Sequence, residues 1–125
     1  MARKKTTGLT DAELRLMEVL WDKGSATVGA VVEAMPKRTP LAYSTVLTTL
    51  RILEEKGNLR HVKEGRAFIY QPAVGREEAC ESAVTHLVRR FFNGSHGLLA
   101  LNLVENKRID VSELKRLRKS IREAK

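Results

Sequence analysis

The chain reads as a mostly α protein with one small β-hairpin: a winged helix-turn-helix over residues 1–74, then a three-helix domain over residues 75–125. Three observations carry this. Three segments with helical apolar spacing lie before position 57. Two short strand-like runs follow, separated by Glu64-Gly65 and ended by Pro72. The remainder returns to helical spacing, with capping signals and no further strand pattern.

The first helix opens at Thr10. Thr10 and Glu13 have capping-box spacing, and Leu9 and Leu14 stand where a hydrophobic staple forms. Leu14, Met17, Leu20 and Trp21 give its apolar stripe, and Lys23-Gly24 ends it. Thr27 caps a short second helix over 28–35, with Val28, Val31, Val32 and Met35 on its buried face. Pro36 and Pro40 bracket a basic loop holding Lys37 and Arg38. A third helix runs over about 42–56 and closes at Gly57. Leu59 and Val62 mark the first strand, Phe68 and Tyr70 the second. In the C-terminal part, Cys80, Ala83, Val84, Leu87, Val88 and Phe91 form a wide stripe on one helix. Asn93-Gly94-Ser95 breaks it. The segment 98–104 is apolar almost all round, which predicts a helix covered on several sides. Asp110 and Glu113 have cap spacing, and Val111, Leu114, Leu117 and Ile121 line the last helix.

The charge balance narrows the function classes. With 23 Lys and Arg against 15 Asp and Glu, the net charge is +8. Such a chain suits a polyanionic partner. Aromatics are 5% of the residues, too few for a stacking platform for single-stranded nucleic acid. The single cysteine, Cys80, has no partner for a disulfide or a thiolate zinc site. Positions 1–7 read as a short basic tail, with no signal-peptide pattern and no long apolar run elsewhere. The expectation is a soluble cytoplasmic protein without stable membrane association.

The third helix carries the most information. At about 100° per residue, Thr48, Arg51 and Glu55 fall near Ser44, while Val46, Leu50 and Leu53 fall opposite. The apolar side packs on the first two helices, leaving hydroxyls and a guanidinium outward. Arginine can fork onto guanine or phosphate, and threonine brings a hydroxyl and a methyl that can meet thymine. Ser44 and Thr45, near the helix start, suit backbone oxygens of DNA. A solvated face would look the same in isolation. The hairpin tips the balance: Arg60, His61, Lys63 and Arg66 gather on it against Glu64, a fit for gripping phosphates beside a helix in the groove.

The runs LTDAELRLMEVLWDKG (9–24), LAYSTVLTTLRILEEKGNL (41–59), EGRAFIYQP (64–72) and LNLVENKRIDVSELKRL (101–117) resemble the penicillinase-repressor (BlaI/MecI) family of bacterial winged-helix repressors. The resemblance spans nearly the whole chain. It implies an N-terminal operator-binding domain, a C-terminal dimerisation domain, and recognition-helix contacts at Ser44, Thr45 and Thr48. Arg51 is added from the helix geometry alone. Many members begin the second helix with a charged pair, where this chain has Gly29-Ala30. In staphylococcal members a membrane sensor-protease triggers cleavage of an Asn-Phe bond. The corresponding bond here is Asn102-Leu103, which keeps the asparagine and not the aromatic.

Other chemistries find no constellation. Cys80 and His86 lie about 240° apart on one helix and do not face each other, and Cys80 reads as an inert core thiol. His61, His86 and His96 lack metal-ligand spacing. No phosphate loop or carboxylate pair points to an enzyme, and no cofactor or metal is expected. Lys115, Arg116, Arg118, Lys119 and Arg122 on the last helix read as a solvated face, with DNA backbone contact as the alternative. The expected protein is therefore a homodimeric repressor on an inverted-repeat DNA operator, controlling a β-lactam-resistance or related stress-response gene. Its dimer would be held by Val84, Leu87, Val88, Phe91, Leu114, Leu117 and Ile121. A sensor-protease or a downstream protease would be its further partner. The alternative is a winged-helix module that contacts protein and does not read DNA sequence.

Overall fold

The computed structural model describes residues 8–123; the basic tail at 1–7 lies outside the described residues. Among these, the order is α1 (Asp11–Lys23), α2 (Val28–Ala34), α3 (Tyr43–Glu55), β1 (Leu59–Glu64), β2 (Ala67–Pro72), α4 (Arg76–Phe91), α5 (His96–Glu105) and α6 (Val111–Glu123). By internal contacts the chain divides into two compact units, 1–83 and 84–125, with the division inside α4.

In the first unit the local signals act as their spacing predicts. Thr10 Oγ1 accepts from the Glu13 N–H, and Glu13 Oε1 accepts from the Thr10 N–H, closing the capping box on α1. Gly24, at φ 82°, ends that helix in a conformation costly for a residue with a Cβ. Thr27 Oγ1 caps α2 through the Ala30 N–H. The core joins Leu16, Met17 and Leu20 of α1, Val28 and Val31 of α2, and Val46, Leu50 and Leu53 of α3. Leu59 and Tyr70 of the hairpin complete it.

Two details differ from expectation. The face of α1 turned to the core is Glu13, Leu16, Met17 and Leu20, whereas Leu14 is exposed. Leu16, Met17 and Leu20 are fully buried, and Glu13 follows them inward together with a cation: Lys56 Nζ lies 2.8 Å from its Oε1 and 2.9 Å from its Oε2. Trp21 is half-buried, and its indole N–H donates to the Val74 carbonyl at 2.9 Å, fixing the chain as it leaves β2. The hairpin turn is also one residue later than expected. Glu64 pairs with Ala67, so Gly65-Arg66 form the two-residue loop. Gly65 has φ 63°, the positive value that tight hairpin loops require at their first central residue.

The hairpin has a third rung. Ala26, between α1 and α2, forms an antiparallel bridge with Tyr70, its N–H donating to the Tyr70 carbonyl at 3.0 Å and its carbonyl accepting at 2.8 Å. The middle of β2 is thus paired on both sides, and β1 is an outer strand.

In the second unit, α4 ends with the Gly94 N–H donating to the Val88 carbonyl, Asn93 and Gly94 both having positive φ. Ser95 caps α5 through the Leu98 N–H. Asp110 caps α6 through the Glu113 N–H at 2.7 Å, and the Ser112 hydroxyl and Glu113 N–H hold its carboxyl below the usual range. No residue of α5 or α6 is buried. The expectation that α5 is covered on several sides therefore fails for the single chain: Leu98 and Leu101 are about half exposed. Cys80, expected in a core, is exposed as well. Both belong to apolar stripes that one copy of the chain leaves open.

Candidate nucleic-acid interface

The site begins with the packing of α3. Val46, Leu50 and Leu53 are fully buried, and their spacing fixes which side of the helix remains outward. Ser44, Thr45, Thr48, Arg51 and Glu55 are exposed on that side. Ser44, Thr45, Thr48 and Thr49 line a shallow open groove. Thr49 is not equivalent to the others, because its hydroxyl donates to the Thr45 carbonyl at 2.8 Å. Ala42 stands at the N-cap without a side-chain hydrogen bond, which leaves first-turn amides at this helix start without a capping side chain.

The hairpin brings the cations. Lys63, near the end of β1, and Arg66, in the loop, are exposed. The other two basic residues expected there are otherwise engaged. Arg60 Nε donates to Gln71 Oε1 at 3.2 Å across the strand pair. His61 Nδ1 lies 2.8 and 2.7 Å from the two carboxylate oxygens of Glu54 on α3. The His61 ring also stands 4.7 Å from Phe68 and 5.6 Å from Tyr70, centre to centre.

Arg51 has a second neighbour besides solvent. The Tyr70 phenol is pushed above its usual range by burial, reinforced by the Glu54 carboxylate and opposed by the Arg51 guanidinium, which hydrogen-bonds it. Arg51 therefore stands where α3 meets β2, between the outward stripe and the hairpin. Glu54 and Tyr70 were not legible as parts of this site, and His61, read as one of the basic hairpin residues, was not legible as the partner of Glu54. Glu54 reads in sequence as one of a charged pair at a helix end, and only the docking of the strand beside it gives it a partner.

The residues expected to hold a second copy lie elsewhere. Val84, Leu87 and Phe91 on α4 are exposed, as are Leu117 and Ile121 on α6, while Leu114 is half-buried. Val88 differs: at 1% exposure it is already covered in the single chain. Asn102 is exposed and Leu103 half-buried within α5. The Asn102 carbonyl accepts from both the backbone and the side-chain amide of Asn106. Among the described residues no helix is long and apolar enough to cross a membrane.

Known proteins are similar to this chain in sequence and in the fold of its first unit. The penicillinase repressor family profile matches residues 9–123. The chain is similar to the penicillinase repressor of Bacillus licheniformis, 33% identical over 122 residues covering 98% of this chain and 95% of that one. It is similar to the solution structure of the DNA-binding domain of the repressor BlaI, with 36% identity and a TM-score of 0.53. That match covers 60% of this chain and 92% of the other. It is also similar to the solution structure of monomeric Bacillus licheniformis BlaI in complex with the blaP half-operator. There the identity is 34% and the TM-score 0.51, covering 62% and 93% of the two chains.

Proposed function

Because the chain belongs to the penicillinase repressor family, a family of DNA-binding transcriptional repressors and not of enzymes, we propose that it is a homodimeric repressor acting on an inverted-repeat operator. The observation that carries this is the exposed stripe of Ser44, Thr45, Thr48 and Arg51 beside a hairpin that ends in Lys63 and Arg66. The stripe enters the major groove, where Thr48 and Arg51 meet base edges and Ser44 and Thr45 meet phosphate. The hairpin cations take the adjacent backbone. A relative solved as a monomer on a half-operator supports one copy for each half-site, and two-fold symmetry then asks for a dyad operator. The open apolar faces of α4, α5 and α6 (Leu87, Phe91, Leu98, Leu117 and Ile121 among them) support dimerisation by residues 75–125, with Val88 as packing beneath. The regulated gene is one of β-lactam resistance or a related stress response, by kinship with a penicillinase repressor. Its place of action is the cytoplasm, and cleavage at Asn102-Leu103 by a protease is its release.

Gel shifts on a fragment from upstream of its own gene, run over a range of salt, test this. A dyad-specific complex whose affinity falls steeply with salt is expected. Binding that ignores both the dyad and salt would replace this reading with a module that contacts protein.

A further inference from the structure

The hydrogen bond between His61 and Glu54 joins the reading helix to the hairpin, and it engages both side chains with each other. From this geometry we infer that Glu54 and His61 are positioning residues that set where the hairpin cations stand relative to α3; the inference rests on the DNA-binding reading above.

The hairpin is otherwise held at its base. Leu59 and Tyr70 are in the core, and Ala26 bridges Tyr70. Beyond the His61–Tyr70 pair, the register continues through Val62–Ile69, Lys63–Phe68 and Glu64–Ala67 to the loop. Val62 and Phe68 are both exposed, so no core contact fixes this outer half. His61 is the last point at which a side chain of β1 is tied to α3. Side chains two apart on a strand share a face, about 7 Å apart along it. Lys63 therefore projects from the same face as His61, one step further out, and Arg66 follows in the loop. A two-stranded ribbon twists easily about its length. The Glu54 carboxylate, by accepting from the His61 ring and turning it against Phe68 and Tyr70, removes that freedom at the point where it has most leverage on both cations. The Arg51 guanidinium, whose charge opposes the upward push on the Tyr70 phenol, faces the same strand pair one turn earlier on the helix.

The test uses the full-length chain on a dyad operator and reads the dependence of affinity on salt together with base preference. Arg66→Ala removes one phosphate contact per half-site, and the log–log salt slope of the dimer falls by about 2. His61→Ala and Glu54→Ala keep every cation of the hairpin yet are expected to flatten the slope by about 2 to 4 as the hairpin leaves the backbone. Affinity at low salt falls with it, by tenfold or more, while base preference at the positions read by Thr48 is unchanged. His61→Asn, whose amide nitrogen can stand where Nδ1 stood, restores the slope. Circular dichroism controls for folding, and Glu54→Ala carries the test alone should His61→Ala lose helix content. Wild-type slopes in His61→Ala and Glu54→Ala, with a flattened slope in Arg66→Ala, would overturn the positioning role and leave the DNA reading intact. A wild-type slope in Arg66→Ala as well would take the hairpin off the DNA backbone and overturn the positioning role, whereas loss of dyad preference and of salt dependence in the unaltered chain is what would overturn the DNA reading.

Discussion

Lys56, which ends the reading helix, reaches the buried carboxylate of Glu13 in the first turn of α1, its Nζ 2.8 Å from Oε1. Burial raises the Glu13 carboxyl, but the Lys56 ammonium and the Thr10 N–H outweigh it, and the value settles below the ordinary 4.5. Its contribution to stability is full above that ordinary value and is lost as pH falls through the lowered folded one. Lys56→Met leaves the carboxylate without its cation in a buried place. Thermal or urea unfolding at pH 7 should show a loss of about 2 kcal/mol. The acid dependence should also flatten. The Thr10 N–H still opposes burial, but without the Lys56 ammonium the variant should gain less stability than the wild type as pH rises from 4 to 7. An unchanged pH profile would mean that the pair is not formed in solution.

Reading and gripping are assigned to different residues, so they should separate on substitution. Thr48→Ala should lower operator affinity by about 1–3 kcal/mol per half-site and relax base preference at one position. Arg66→Ala should weaken all sequences alike. Competition binding against a panel of operator variants measures both. Equal loss of preference from the two substitutions contradicts the division.

Dimerisation is tested in the intact chain with Leu117→Asp and Ile121→Asp together. Ile121 is 63% exposed in the single chain, so the substitutions do not disturb a buried core there. Sedimentation should show a monomer with unchanged helix content. Operator affinity should fall by more than the loss of either half-site contact alone, since the second site is gained by tethering. A stable dimer in this variant would move the interface off α6.

Removal of everything after Asn102 mimics cleavage without any protease. The truncated chain keeps the whole first unit, 1–83, and loses Leu114, Leu117 and Ile121. Gel shifts should show steep loss of dyad binding, while circular dichroism retains the signal of the winged helix. Full-strength binding by the truncated chain would exclude cleavage as the release step.

Local chemistry made most of the fold legible in the sequence. The Thr10–Glu13 box, the Thr27 cap and the stops at Gly24 and Gly57 are decided within a few residues of chain, and so is the outward stripe of α3, once Val46, Leu50 and Leu53 are taken as its buried side. What stayed hidden depends on contacts between distant segments. Glu13 looks like half of a capping box, yet it also holds Lys56, 43 residues on. Arg51 looks like a reader of bases, yet it also faces Tyr70. Cys80 and α5 look like core and are exposed, because an apolar stripe in a sequence does not say whether its cover comes from the same chain or from another.

The bridge from Ala26 to Tyr70 has an effect on solubility. It occupies the far side of β2 and, among the described residues, leaves β1 as the open edge of the small sheet, where an extended chain could pair. Arg60 and Lys63 stand on that edge, and cations there repel a second copy of the same strand. Under the proposed function Lys63, assigned to DNA, thus also keeps the free chain from adding strand to strand, a protection most needed when the operator is empty and the hairpin is bare.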